Sequence, residues 1–126
     1  KIDVNKRIYV TEGPFDSMFL PNAVAMVGAS KSVNLPDKLR MRDVVFCLDN
    51  EPRSVEIVSM MRNLIETGHQ VFIPESRLEE KDINEMILSG KTIENIVDYI
   101  NENTHGGILA QAAMSQWEKT TERWGI

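Results

Sequence analysis

The run Val44-Val45-Phe46-Cys47-Leu48-Asp49-Asn50-Glu51 decides the fold class. Apolar residues without polar alternation are what a parallel strand needs when helices cover both of its faces. The Asp-Asn-Glu that follows ends the run at the strand's carboxyl end. Upstream, Arg7-Ile8-Tyr9-Val10-Thr11 is a β-branched and aromatic run closed by Glu12-Gly13-Pro14. Ala23-Val24-Ala25-Met26-Val27 is closed by Gly28-Ala29-Ser30, and downstream Gln70-Val71-Phe72-Ile73 is closed by Pro74. These four runs predict four strands.

Helical signals separate them. Pro14 suits the first turn of a helix over Phe15 to Leu20, where its missing N–H would be unpaired in any case. Leu35 to Met41 reads as a short helix. Val55, Ile57, Val58, Met61, Leu64 and Ile65 recur at helical spacing and stop at Gly68, in the glycine position that ends helices. Asp82 can cap Ile83 to Leu88, Gly90 ends that helix, and Thr92 can cap Ile93 to Ile100. Gly106-Gly107 breaks the pattern, and Ile108 to Trp124 is helix-capable with a ragged apolar face. Strands alternating with helices predict an α/β fold: a Rossmann-like central parallel four-stranded sheet with helices on both faces, plus a C-terminal helical extension. We expect a domain over residues 1–104 and a helical tail, or a link to a neighbouring domain, over 105–126.

The length of 126 residues fits one core, and 42% hydrophobic with 26% charged residues of mixed sign excludes a disordered or fibrous chain. The lone Cys47 excludes an internal disulfide and a Cys-rich zinc site, and suits a reducing compartment, so the expected location is cytoplasmic. No apolar run approaches the roughly 18 residues of a membrane helix, and Lys1 to Lys6 lacks the apolar stretch of a signal peptide. A start at Lys1 suggests a domain of a longer protein. The net charge of −5 has the wrong sign for gripping a polyanion by charge alone. A metal ion or another domain would have to supply the positive charge.

In a parallel α/β sheet the ligand site lies beyond the carboxyl ends of the strands. That rule selects Glu12-Gly13, Gly28-Ala29-Ser30 and Asp49-Asn50-Glu51. Three carboxylates brought to one edge repel unless they share a cation. Oxygen ligands without His or Cys select Mg²⁺ or Mn²⁺ over Zn²⁺, and the usual chemistry of such a site is phosphoryl transfer. Acids after strands also cap helices and solvate loops, so the convergence, not any one residue, carries the reading. Cys47 reads as an inert small hydrophobe, and His69 and His105 as surface residues without metal-ligand spacing. Met114, Trp117 and Trp124 read either as an exposed apolar stripe for a neighbouring domain or as packing onto this one.

The ordered segments Ile8-Tyr9-Val10-Thr11-Glu12-Gly13-Pro14-Phe15-Asp16, Val44 to Glu51 and Lys81-Asp82-Ile83-Asn84-Glu85 resemble the Toprim domain shared by bacterial-type DNA primases, topoisomerases and some nucleases. Within that family the likeness is greatest to bacteriophage primases. The resemblance implies Glu12 as a metal ligand and acid or base, Asp49 as the first acid of an Asp-x-Asp pair, and Glu51 at its second acid. Catalysis and metal binding would then rest on Glu12, Asp49 and Glu51, with Mg²⁺ or Mn²⁺ as cofactor. Gly13, Asp16, Gly28, Ser30, Lys81 and Asp82 would serve substrate or phosphate binding. Glu51 stands where the family usually has Asp; the extra methylene displaces its carboxylate by roughly 1.5 Å and bears on the second metal position.

By the same resemblance the chain would be part of a primase that makes RNA primers on single-stranded DNA from nucleoside triphosphates, with a replicative helicase as partner and no membrane. The zinc-binding template reader and basic subdomain of such enzymes have no counterpart in these residues. Little primer synthesis is therefore expected from this segment by itself. A Toprim nuclease using water as nucleophile, and a non-catalytic docking module for a replication helicase, are the alternatives.

Overall fold

A computed structural model describes residues 2–26 and 42–119 of the chain. In chain order these form β1 (Ile8–Thr11), α1 (Pro14–Phe19), β2 (Ala23–Ala25), β3 (Val44–Cys47), α2 (Val55–Glu66), β4 (Gln70–Phe72), α3 (Ile83–Leu88), α4 (Ile93–Glu102), β5 (Thr104–His105) and α5 (Gly107–Glu118). The expected helix Leu35 to Met41, the loop residues Gly28 and Ser30, and Trp124 lie outside the described residues.

The sheet order is β2-β1-β3-β4-β5. β1 pairs in parallel with β2 and with β3, where Thr11 lies opposite Cys47, and β3 pairs in parallel with β4. The four predicted strands are present, but the sheet is mixed and has five strands. β5 joins β4 antiparallel, with Val71 opposite His105 and Phe72 opposite Thr104. Two residues following a helix and preceding a Gly-Gly break carry no hydrophobic run that sequence could show; β5 exists because α4 delivers it to an open sheet edge.

Strict alternation sends strand side chains to two cores. Ile8, Val10, Val44, Phe46, Leu48, Val71 and Ile73 pack with Ile57, Met61, Leu64 and Ile65 of α2 and with Ala110, Met114 and Trp117 of α5. Tyr9, Val45, Cys47 and Phe72 pack on the other face with Leu20, with Ile83 and Met86 of α3, and with Ile96 and Ile100 of α4. Burial on both faces explains why β1 and β3 read as continuous apolar runs.

The stripe reading of the C-terminal helix is corrected here. Met114 and Trp117 are each 1% exposed, packed under the sheet, and Ile108 and Leu109 are the large exposed apolar residues of α5. The ragged pattern has a simple cause: only Ala110, Met114 and Trp117 of the helix are buried. The two histidines are at the surface but partly covered. His69 is half-buried with its ring edge-to-face against Phe46 at 5.2 Å, and burial lowers its pKa, while His105 is half-buried in β5.

Local signals fixed the helix ends as their chemistry requires. Pro14 occupies the first turn of α1. Asp82 and Thr92 cap α3 and α4 by accepting from the N–H groups of Glu85 and Asn95. Gly68 (φ 89°) closes α2: its N–H donates to the Ile65 carbonyl and that of His69 to the Leu64 carbonyl, the pair of hydrogen bonds of a left-handed glycine cap.

Candidate functional site

Strand order reverses its direction of growth at β1: β2 lies on one side of it and β3 on the other. The crevice beyond the carboxyl ends of β1 and β3 is therefore the switch point at which open α/β sheets bind ligands. The turns that leave these two strands carry Glu12-Gly13 and Asp49-Asn50-Glu51. Buried Thr11 shapes the first turn by donating its hydroxyl to the Gly13 carbonyl at 2.9 Å.

A cleft of about 310 Å³ opens there, lined by Glu12, Gly13, Asp16, Asp49, Asp82 and Asn84. Asp16, Asp49 and Asp82 each place an oxygen within 4.8 Å of the others'. Three different elements supply them: the helix after β1, the turn after β3 and the cap of α3. Asp16 is buried and accepts from the Asn84 N–H at 3.1 Å, which ties α1 to the start of α3. Glu12 reaches the same cleft with its Oε1 buried and without a hydrogen-bond partner among the described residues.

The electrostatics follow from this crowding. Burial raises the Asp49 pKa to about 7, and the charges of Glu12, Asp16, Asp82 and Glu51 push in the same direction. Asp16 is also raised, first by burial and then by Asp82 and Glu12, against the opposing hydrogen bond from Asn84 and the charge of Lys81. The nearby ammonium is that of Lys81, 3.5 Å from Glu51 Oε1. Glu51 does not line the cleft; its charge and that of Asp49 raise the Lys81 pKa. Cys47 sits behind the site, buried, and burial pushes its thiol up, so it remains a protonated hydrophobe.

Of the residues singled out by sequence, the structure thus brings Glu12, Gly13, Asp16, Asp49 and Asp82 into one cleft and leaves Glu51 and Lys81 paired at its margin. Asp16 and Asp82, expected at phosphate, stand with Asp49 as the group that could hold a metal ion. The donor set fits a hard cation. It is all carboxylate, the buried Glu12 oxygen in the same cleft has no donor among the described residues, and the repulsion of the group is relieved by positive charge. Sequence reasoning missed Asn84 as a lining residue. It also missed the hydrogen bond that Trp117 donates to Asn50, because those residues are 67 positions apart.

Over 115 residues, 89% of its length, the chain is 36% identical to the DNA primase of Enterobacteria phage T4. The chain is related to a DNA primase. It spans 33% of that relative's length. No family model matches the chain.

Proposed function

We propose that this chain is the Toprim domain of a DNA primase, and that its cleft serves Mg²⁺- or Mn²⁺-dependent nucleotidyl transfer in the synthesis of RNA primers on single-stranded DNA. The observation that carries the reading is the meeting of Glu12, Asp16, Asp49 and Asp82 at the β1/β3 switch point of a chain related to a DNA primase. The same resemblance makes a replicative helicase the proposed partner of the whole protein.

Glu12, Asp16, Asp49 and Asp82 would hold the cation. When bound, it supplies positive charge at the phosphate oxygens and lowers the pKa of the attacking hydroxyl. Glu12 has two oxygens, and the one left free by the cation would take the proton of that hydroxyl; its buried Oε1, an acceptor without a donor among the described residues, supports this role. Lys81 offers a charge-assisted hydrogen bond to a triphosphate, in competition with Glu51. Release from that ammonium would let Glu51 join the metal ligands. Gly13 adds open backbone: a Cβ there would meet nothing within 4 Å, so the position leaves room for substrate.

The test is primer synthesis on single-stranded DNA by the whole protein, wild type against Asp49→Ala. A loss of at least about a hundredfold is expected, from the several kcal/mol of charge stabilisation such a metal supplies. Undiminished synthesis by the variant would overturn the assignment. Metal-dependent cleavage of the DNA without synthesis would move the same site to hydrolysis.

A further inference from the structure

Asn50 stands between the two acids of the Asp49-Asn50-Glu51 turn, and its amide is engaged at both its nitrogen and its oxygen. Its Nδ2 donates to the carbonyls of Leu78 at 2.9 Å and Glu80 at 3.0 Å, and its backbone N–H donates to the Lys81 carbonyl. Its Oδ1 accepts from the indole Nε1 of Trp117 at 2.8 Å. The orientation of the amide is determined by chemistry: two carbonyls require its NH₂, and an indole, which is a donor only, requires its oxygen. Trp117 is 1% exposed, so its N–H has no access to water in exchange, and leaving it unpaired would be unfavourable.

We infer that Trp117 and Asn50 are positioning residues of the carboxylate site. The indole of the C-terminal helix fixes Asn50; Asn50 clamps the turn that carries Asp49 to residues 78–81; and that segment delivers Asp82 to the cleft. The inference rests on the proposed metal site and deepens it. Through these contacts α5, remote in sequence from every acid of the cleft, sets the separation of Asp49 from Asp82.

The experiment compares Mn²⁺ binding, by water-proton relaxation, among the wild type, Asp49→Asn, Trp117→Phe, Asn50→Ala and the Trp117→Phe/Asn50→Ala double variant, with a thermal melt of each. Trp117→Phe is expected to stay folded and to bind Mn²⁺ about tenfold more weakly, the lower end of what loss of an outer-shell partner does to metal affinity. In the Asn50→Ala background the same change should have no further effect on affinity, because both substitutions break one clamp. A Trp117→Phe variant with lowered melting temperature and unchanged Mn²⁺ affinity would show mere packing and overturn the inference while leaving the metal site standing. Saturable binding absent from the wild type, or kept by Asp49→Asn, would overturn the metal site itself and this inference with it. Should Trp117→Phe not fold, the indole N–H resonance decides, assigned to Trp117 as the one that persists in Trp124→Phe. It should shift on Mg²⁺ titration in step with backbone signals of residues 49–51; a resonance that stays still while those move overturns the positioning role.

Discussion

Asp49 is the residue whose burial and company matter most. Its pKa of about 7 in the folded domain lies above the ordinary 3.8 because burial and four surrounding carboxylates disfavour its charge. The folded state therefore binds more protons than the unfolded state across that interval, and stability falls as pH rises. The contribution is fully present below pH 3.8 and is lost as pH passes through about 7. Metal-free protein should melt at a lower temperature at pH 8 than at pH 5, and Asp49→Asn should flatten that slope, both read from thermal melts in chelator. Mn²⁺ should narrow the difference in the wild type and not in the variant. That Asp49 and Glu12 would face one cleft was legible, because acids directly after apolar runs are conspicuous and parallel strands carry them to one edge. The grouping of Asp16 and Asp82 with Asp49 was not legible, because it depends on α1 and α3 lying side by side at the cleft.

At the level of the elements, the ends of the helices follow rules that act over a few residues. Ser54 caps α2 by accepting from the Ile57 N–H at 3.2 Å, and Gly68 closes the same helix at φ 89°. Ser54→Ala should destabilise the domain by about 1 kcal/mol, and Gly68→Ala by about 1–2 kcal/mol because a Cβ is strained in the left-handed region. Chemical denaturation measures both, and neither should alter Mn²⁺ affinity, since neither residue lines the cleft. Asp82 differs in carrying two duties. It caps α3 through the Glu85 N–H at 2.8 Å and stands in the carboxylate group, so Asp82→Ser should keep the cap and lose metal affinity. Caps and glycine stops were readable from sequence for this reason: their energetics are local. β5 was not, since two residues become a strand only when an edge is there to receive them.

For the whole molecule, the two cores make α5 part of the fold. Ala110, Met114 and Trp117 complete the core that holds β1, β3, β4 and α2, and Arg62 of α2 pairs with Glu118 at the far end of α5. A chain ending at residue 106 should lose its cooperative unfolding transition by circular dichroism, because deletion uncovers the apolar face of the sheet. The net charge of −5 has its own consequence. In chelator the chain should show no measurable retention on single-stranded DNA even at low salt, and Mg²⁺ is the condition under which weak retention should appear. The order of apolar runs, glycines and caps determined the α/β class, the parallel pairing of the first four strands and the acidic turns, because hydrophobic periodicity and backbone chirality act on short stretches of chain. Only the tertiary structure decided which acids meet, that Glu51 turns to Lys81, that a fifth strand closes the sheet and that Trp117 reaches Asn50. Each of these depends on distances between segments far apart in sequence, and those distances are set by how the two cores pack.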